Sequence, residues 1–123
     1  VLADKQGIQW KISESAIALY QAKLMVIHAA YLIENGKPFQ QEVSMAKHHV
    51  ANTLWRICDH ALQVHGALGY STDTDLESML KHARSARLVD GADEVHLTRI
   101  AQHVLEAFRS DGSTRRATGE GLL

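Results

Sequence analysis

The stretch "AIALYQAKLMVIHAAYLIENGKP", residues 16–38, decides the fold class of this chain. Its apolar residues recur at intervals of three and four, which is the spacing of an α-helix and not the alternation of a strand. The segment closes on Gly36, which can take a left-handed backbone, and on Pro38, which cannot continue a helix. We therefore predict a first helix from about Ala3 to Glu34.

This first helix is apolar on two faces. One face carries Ile12, Ala16, Leu19, Val26 and Ile33, and the other carries Ile17, Tyr20, Leu24, Ile27 and Tyr31. A helix must bury its apolar faces, and the core of a single bundle covers only one of them. We expect a partner subunit or a further domain to cover the second face; a more central place within its own domain is the alternative.

The second helix is predicted from about Phe39 to Val64, with apolar residues at a spacing of three or four. This stripe consists of Val43, Ala46, Val50, Leu54, Ile57, Ala61 and Val64. The break "HGALGYSTD", residues 65–73, leads to a shorter third helix, where Thr74 and Glu77 are placed as a capping box.

The fourth helix is predicted to begin at Asp90 or Gly91 and to continue through Phe108. Four helices with short connections indicate an all-α, up-and-down four-helix bundle, because short loops make neighbouring helices antiparallel. Residues 1–109 form this domain in our interpretation. Residues 110–123 lack periodicity and are predicted to be a flexible tail.

The composition excludes several classes of protein. The 123 residues carry 13 basic and 14 acidic side chains, scattered along the chain, which does not indicate binding to nucleic acid. Cys58 is the single cysteine, so a disulfide framework is excluded and a reducing compartment is favoured. Gln21, Lys23 and His28 interrupt the most apolar stretch, which argues against a membrane span. No secretory signal is evident, and the absence of an initial methionine is compatible with a longer parent chain.

Eight histidines prompt the question of a metal site, but their spacing does not support one. A di-iron bundle needs Glu and His three residues apart on one helix, and no Glu in this chain has a His three residues later. His48, His49, His96 and His103 do not combine with carboxylates into a ligand set. A nucleophile elbow is also missing, and Cys58 fits a small core residue. We therefore predict neither a metal site nor a catalytic triad.

The segment "RLVDGADEVH", residues 87–96, allows two interpretations of Asp90. Aspartate is a preferred helix cap, and Asp93 and Glu94 would lie favourably at the positive end of the helix dipole, so the local pattern favours a cap. The alternative is a base that removes a proton from a substrate. Periodicity and spacing alone leave the function open.

Two long segments resemble the acyl-CoA dehydrogenase family. Residues 61–105, "ALQVHGALGYSTDTDLESMLKHARSARLVDGADEVHLTRIAQHVL", are similar to its C-terminal signature, approximately Q-I-H-G-G-x-G-Y, then I-Y-E-G-T and E-I-Q. Residues 2–51, "LADKQGIQWKISESAIALYQAKLMVIHAAYLIENGKPFQQEVSMAKHHVA", resemble the first two helices of the family's C-terminal domain. Together the likeness covers about residues 2–108. The wording "DGADEVH", residues 90–96, is nearest to the branch that carries Asp at this place, the members numbered ten and eleven.

The resemblance implies roles for particular residues. Asp90 takes the place of the family's catalytic Glu, and Gly91 would lie beside the acyl thioester. The residues implied in binding FAD are Lys5, Gln6, Gln63, Val64, His65, Gly66, Ala67, Ala92, Asp93 and Glu94. Those from Gln63 to Ala67 would hold the adenosine diphosphate part of a flavin belonging to a neighbouring subunit. Small residues there let backbone amides approach the pyrophosphate.

The implied reaction is FAD-dependent α,β-dehydrogenation of an acyl-CoA thioester to a trans-2-enoyl-CoA. The carboxylate of Asp90 would remove the α-proton while the flavin N5 takes a β-hydride. The thioester oxygen needs hydrogen-bond donors, which in this family are the amide of the base residue and a ribityl hydroxyl. A first helical turn offers such a free amide, so the capping and catalytic interpretations of Asp90 are compatible.

The chain departs from the family pattern at several positions. Asp90 is shorter than Glu by one methylene, a loss of reach of about 1.5 Å. A misplacement of about 1 Å can cost roughly a hundredfold in rate. Ala67 replaces the second glycine, Ala92 the threonine and Val89 the tyrosine. Either the pocket is remodelled, or the base lies elsewhere, or the chemistry differs.

The resemblance also implies partners and a larger protein. The family has an N-terminal helical domain and a middle β-barrel domain that this chain lacks, so we expect no activity from the 123 residues alone. The implied partners are an acyl-CoA substrate, electron-transfer flavoprotein as electron acceptor and further copies in a dimer or tetramer. The implied location is the bacterial cytoplasm or the mitochondrial matrix. Two alternatives stay open: a related flavoprotein oxidase or monooxygenase on the same scaffold, and a non-catalytic helical assembly module.

Overall fold

The computed structural model describes residues 1–112, and every regular element in that range is helical. A 3-10 turn, Leu2–Asp4, precedes five α-helices: α1 (Gln6–Glu34), α2 (Gln40–His65), α3 (Ala67–Tyr70), α4 (Leu76–Ser85) and α5 (Asp93–Asp111). The all-α prediction is confirmed. Residues 113–123 of the predicted flexible tail lie outside the described range, whereas residues 110 and 111 belong to α5.

The helices α1 and α2 form an antiparallel hairpin. α1 ends at Glu34 as predicted, and Gly36 has the expected left-handed backbone with a φ of 62°. The hydroxyl of Ser15 lies 3.4 Å from Nδ1 of His60, which joins the start of α1 to the end of α2. α1 begins later than predicted because Lys5 is extended, with φ −81° and ψ 125°, and separates α1 from the preceding turn.

The two helices meet along a row of mostly small side chains, which we call the α1–α2 seam. On α1 its residues are Ala18, Ala22, Ala29 and Leu32, the buried positions of that helix, and on α2 Ala46 lines the hairpin beside Ala29. The distance between packed helices depends on the side chains at the contact, so small ones allow a close approach. Both apolar stripes predicted for α1 lie outside the seam and are exposed. The prediction that the core of this domain buries one of them is wrong, whereas the cover of the second face by a partner subunit or a further domain stays a prediction. In the stripe predicted for α2, only Ala46 is fully buried.

The other helices are arranged around α2. It packs against α1, α3, α4 and α5, whereas within residues 1–112 α1 contacts neither α4 nor α5, and these two do not contact each other. A closed four-helix bundle also needs contacts between its outer helices. Within residues 1–112, α2 is therefore a central helix with neighbours on several sides. These contacts do not show the up-and-down four-helix arrangement that the sequence predicted.

The capping box predicted for the third helix is wrong. The helix concerned, α4, begins at Leu76, and Asp75 in front of it makes no hydrogen bond from its side chain to the first turn. The hydroxyl of Thr74, which was expected to cap the helix, donates to the carbonyl of Leu68 at 3.4 Å. The physical reason is the short helix α3, which the sequence pattern did not indicate and which supplies that carbonyl.

The helix α1 has much more apolar surface than the seam covers. By length and composition it is the one helix within residues 1–112 that could cross a membrane, with a mean hydropathy of 1.5. Core helices of other proteins satisfy the same criteria, so this finding is weak evidence for a membrane span. Only 22% of that apolar window is buried, which leaves side chains such as Ile17 and Ile27 exposed at 60% and 64%.

Candidate functional site

The connection between α4 and α5, residues 86–92, has an unusual backbone, and we call it the Asp90 loop. Asp90 has a φ of 55° and Gly91 a φ of 93°. Among residues 1–112, Asp90 is the only residue other than glycine with a positive φ. A left-handed backbone costs an L-residue roughly 1–2 kcal/mol, so the surrounding structure must hold it in place.

Two side chains hold the Asp90 loop through its carbonyl oxygens. The ammonium of Lys47, on α2, donates to the carbonyl of Gly91 at 2.5 Å. Nε2 of His96, on α5, lies 3.2 Å from the carbonyl of Asp90. A carbonyl can only accept, so this contact is a hydrogen bond when the imidazole carries its proton on Nε2. The carbonyls of the two left-handed residues, Asp90 and Gly91, are therefore bound by side chains of neighbouring helices.

The same contact explains why a glycine follows Asp90. His96 is buried, with 6% of its surface exposed, and its ring lies directly against Gly91. A Cβ on Gly91 would lie 2.8 Å from Nε2 of His96, which is closer than such atoms approach in proteins. A side chain at this position would displace the imidazole and lose its contact with the Asp90 carbonyl.

The carboxylate of Asp93 joins the loop to α2 and to the end of α4. It accepts hydrogen bonds from Nε of Arg87 at 2.7 Å and from the side-chain amide of Asn52 at 3.2 Å. Nδ1 of His48 lies 3.4 Å from its other oxygen, and the Asp93 side chain is 8% exposed. Burial alone would raise the pKa of this carboxyl, but the hydrogen bonds and the charge of Arg87 outweigh it and lower the pKa. Asp93 is therefore ionised at neutral pH and faces the interior.

Asp90 itself does not cap a helix. The helix α5 begins at Asp93, and its N-cap is Ala92, which makes no side-chain cap bond. The capping interpretation of Asp90 is thus wrong, because the left-handed residues Asp90 and Gly91 delay the start of the helix. The side chain of Asp90 is exposed, and the amides of Asp90, Gly91 and Ala92 donate to no acceptor within residues 1–112. The loop presents a carboxylate and three amides.

The remaining predicted residues lie together at the opposite end of the α1–α2 hairpin, which we call the Gly66 end. Its predicted members are Lys5, Gln6, Gln63, Val64, His65, Gly66 and Ala67. A shallow cavity runs between the start of α1 and the end of α2 there, and Ile8, Lys11, Val64 and His65 contribute to its lining. Nδ1 of His65 contacts the carbonyl of Ala61 in its own helix at 2.8 Å.

The backbone of the Gly66 end is open. Gly66 has a φ of 60°, and no atom lies within 4 Å of the position its Cβ would take. The amides of Ala67 and Leu68 donate to no acceptor in the described part of the chain. Gly69 is different, because a Cβ there would lie 2.9 Å from both Cβ of His65 and the carbonyl of Leu62. Gly69 therefore allows α3 to pack on α2, whereas Gly66 leaves space for an external group.

The structure divides the predicted site residues into two groups and does not bring them together. Lys47 contacts the Asp90 loop, and Val64 belongs to the Gly66 end. The two residues are seventeen positions apart on α2, which corresponds to roughly 26 Å at the rise of an α-helix. One copy of this chain therefore offers two separate surfaces.

Several residues of the site were not found from the sequence. They are Arg87, which lies within the Asp90 loop, and Lys47, His48, Asn52 and His96, which lie on the neighbouring helices. His48 and Asn52 are four residues apart and so lie on one face of α2. Two polar side chains on one face of this helix could have predicted a contact with a charged group. Glu94, in contrast, is exposed on the first turn of α5, with no side-chain partner among residues 1–112. No group of three or more potential metal ligands occurs in the same range.

Comparison with known proteins relates this geometry to a family. Residues 1–105 match the sequence profile described as "Acyl-CoA dehydrogenase, C-terminal domain". The chain is 37% identical over 105 residues to acryloyl-CoA reductase (NADH) of Anaerotignum propionicum, covering 85% of this chain and 27% of that protein. It is 36% identical over 109 residues to the mitochondrial short-chain specific acyl-CoA dehydrogenase of Rattus norvegicus, covering 89% and 26% respectively.

A solved structure shows the same arrangement of helices. The crystal structure of an acyl-CoA dehydrogenase from Slackia heliotrinireducens superposes with a TM-score of 0.82 at 27% identity, covering 89% of this chain and 29% of that one. The chain thus spans about a quarter of the length of the curated relatives.

Proposed function

This chain belongs to the acyl-CoA dehydrogenase family, of which it represents the C-terminal domain, and we propose that it works within a longer FAD-dependent oxidoreductase. The proposed reaction is the α,β-dehydrogenation of an acyl-CoA thioester to a trans-2-enoyl-CoA. The observation that carries the proposal is the Asp90 loop, whose strained backbone exposes a carboxylate beside free amides. Strained backbone of this kind is concentrated at functional sites.

In the proposed mechanism, Asp90 is the base that removes the α-proton. Its carboxylate is exposed, so it is available to a substrate. The negative charge that develops on the thioester oxygen needs donors that are already in place, and the free amide of Asp90 can serve as one. The neighbouring ion pair of Arg87 and Asp93 is not available for this purpose because its members bind each other. The work of this chain is thus to hold a proton acceptor and a hydrogen-bond donor next to one another.

The residues of the Gly66 end fit the phosphate portion of FAD. Gly66 leaves space at its Cα, and the amides of Ala67 and Leu68 have no acceptor within residues 1–112. Oriented backbone amides of this kind bind anions. When bound, FAD supplies the acceptor for the electrons that leave the substrate. Ala92 and Glu94 of the Asp90 loop region are proposed to contact it as well, whereas the carboxylate of Asp93 is engaged with Arg87.

We further propose that the complete enzyme is an oligomer. The two groups of FAD-binding residues are roughly 26 Å apart along α2, so the Asp90 loop of one copy and the Gly66 end of another would serve the same flavin. An up-and-down bundle would be completed by contacts made in this larger assembly. Three further parts of this proposal rest on the sequence resemblance. The electron acceptor is electron-transfer flavoprotein, the chain belongs to the Asp-containing branch of the family, and the enzyme is located in the bacterial cytoplasm or the mitochondrial matrix.

A second candidate is the opposite reaction, the reduction of a 2-enoyl-CoA. It is favoured by two relatives, the acryloyl-CoA reductase of Anaerotignum propionicum and the 3-(aryl)acrylate reductase of Clostridium sporogenes, which is 35% identical over 105 residues. In this direction the carboxyl group of Asp90 would deliver the α-proton. The two candidates therefore use the same residues. They differ in the substrate and in the state of the flavin: an acyl-CoA reacts with oxidised flavin in the first, and a 2-enoyl-CoA reacts with reduced flavin in the second.

The experiment is an anaerobic titration of the full-length protein, reconstituted with FAD, with a panel of acyl-CoA thioesters. Wild type, Asp90→Asn and the control Asp59→Asn, an exposed aspartate on α2, are compared by flavin absorbance. We expect bleaching in wild type and in the control, and a rate at least about a hundredfold lower in Asp90→Asn, which is the usual contribution of a general base. Equal rates in all three would show that Asp90 is not the base. Absence of bleaching with every thioester, combined with reoxidation of the reduced flavin by enoyl-CoA, would favour the reductase.

A further inference from the structure

We propose that Lys47 and His96 are positioning residues for Asp90, because their side chains bind the backbone carbonyls of Asp90 and Gly91. This inference rests on the proposed function. Lys47 reaches the carbonyl of Gly91 from α2, and His96 reaches the carbonyl of Asp90 from α5. Both side chains contact backbone carbonyls, and neither contacts the Asp90 carboxylate within residues 1–112, so both act through the backbone.

The geometry of the peptide bond shows what these two contacts accomplish. No cis peptide bond occurs within residues 1–112, and in a trans peptide the C=O and N–H groups point in opposite directions. Fixing the carbonyls of Asp90 and Gly91 toward the helices therefore turns the amides of Gly91 and Ala92 away from them. These amides donate to no acceptor in the described chain, as this orientation requires. Lys47 and His96 thus fix two peptide planes and, with them, the direction of the Asp90 side chain.

The need for such support follows from the backbone of the loop. Asp90 is left-handed, at a cost of roughly 1–2 kcal/mol, and without its two carbonyl contacts the loop would relax toward ordinary conformations. Asp90 is also a short carboxylate, so its reach allows little variation in backbone position. A displacement of about 1 Å can lower a rate roughly a hundredfold. Lys47 and His96 are therefore expected to affect proton removal more strongly than substrate binding.

Lys47 is the better residue to change. Its stem lines the α1–α2 hairpin beside Val43 and Val50, so methionine can keep the packing while it removes the donor. Arginine keeps a donor and is the conservative variant. Lys81→Met is the matched control, because Lys81 lies on α4, is exposed and pairs with Glu77. All variants are made in the full-length, FAD-loaded protein together with Asp90→Asn.

The measured quantity is the exchange of the α-protons of an acyl-CoA with D2O under anaerobic conditions, followed by mass spectrometry. For Lys47→Met we expect an exchange rate about tenfold to a hundredfold below wild type, with the Kd for acyl-CoA within about threefold. Lys47→Arg should recover most of the rate, and Lys81→Met should equal wild type. A residue with a merely structural role would lower FAD retention and acyl-CoA binding along with the rate, and arginine would not restore the rate selectively.

The outcomes separate this inference from the proposed function. If wild type exchanges protons and Asp90→Asn does not, but Lys47→Met equals wild type, the positioning inference is overturned and the base assignment stands. If wild type shows no exchange, the proposed function fails and the inference with it. Should Lys47→Met lose its flavin, His96→Gln, which keeps a donor, and His96→Leu, which does not, provide the same comparison. Equal exchange in these two variants would overturn the inference.

Discussion

Arg87 and Asp93 close the Asp90 loop from its two ends. The guanidinium of Arg87 donates to the carboxylate of Asp93, and the amide of Asp93 donates to the carbonyl of Arg87 at 3.2 Å. The loop between them is thus closed by one side-chain bond and one backbone bond. Because Asp93 is buried, loss of its charge would leave Arg87 and Asn52 with weaker acceptors.

We predict that Asp93→Asn lowers the stability of the full-length protein in a pH-dependent manner. The pKa of Asp93 is lowered in the folded protein, so its ionised form adds stability above the ordinary value of 3.8. This contribution is lost as the pH falls through the folded pKa. Urea unfolding at pH 7 should show a loss of about 1.5–3 kcal/mol, the range for hydrogen bonds to charged groups. The difference from wild type should shrink as the pH approaches and passes below 3.8.

The control for this prediction is Asp73→Asn, since Asp73 is exposed. It should unfold like wild type throughout the pH range. A loss of stability in Asp93→Asn that stays constant down to the lowest pH would contradict the prediction, because it would show that side-chain shape matters and charge does not.

For single residues, the sequence predicted the position of the turn at Asp90 but not the side chains that bind the Asp90 loop. An Asp-Gly pair is a turn signal in any sequence, and the position of Asp90 followed from the family resemblance. Lys47 and Asn52 are more than forty residues away along the chain from their partners, Gly91 and Asp93. Such pairings depend on how α2 packs on α5, and no local pattern contains that information.

Among the elements, the α1–α2 seam determines the shape of the domain. Alanines occupy three of its four positions on α1, and Ala46 lies beside Ala29 on α2. Small side chains on both helices allow a close approach, in which dispersion contacts between backbones replace those between large side chains. The interface is therefore intolerant of added volume.

We predict that Ala22→Leu disrupts the hairpin. Ala22 is 5% exposed within the seam, so a leucine there would force α1 and α2 apart. Overpacking of this kind typically costs about 1–3 kcal/mol. Thermal unfolding of the full-length protein measures the effect, and Ala101→Leu, at an exposed position on α5, is the control. Equal melting temperatures for the two variants would show that the seam has room that the structure does not indicate.

The helices themselves were largely predictable, and their packing was not. The end of α1 at Glu34 and the limits of α2 within one residue followed from glycine, proline and periodicity. The buried face of α1 was assigned to its large apolar residues, as the hydrophobic pattern suggests. It consists of alanines instead, because the large residues lie beside the seam. Periodicity identifies apolar faces but does not rank them when a helix has more than one.

For the whole molecule, the exposed apolar surface of α1 is the main consequence of this packing. Large apolar side chains on both predicted stripes remain at least 46% exposed, among them Ile17, Leu19, Tyr20, Ile27 and Tyr31. Monomeric proteins rarely leave contiguous apolar surface of this extent uncovered. The chain spans about a quarter of its curated relatives, and we propose that the rest of the enzyme and further copies cover this helix.

This proposal leads to opposite expectations for the isolated chain and for the full-length protein. We predict that the 123-residue chain self-associates in sedimentation experiments and shows no turnover with FAD and acyl-CoA.

The double variant Ile17→Lys and Ile27→Lys tests whether α1 is the interface. In the isolated chain it should raise the concentration needed for self-association at least about tenfold, since two exposed apolar side chains become charged. The same changes in the full-length protein should impair assembly and lower FAD retention. Ser13→Lys adds a charge at a polar, exposed position of α1 and should leave both proteins unchanged. Normal assembly of the full-length double variant would show that α1 is not an interface, and turnover by the isolated chain would show that the site needs no second domain or copy.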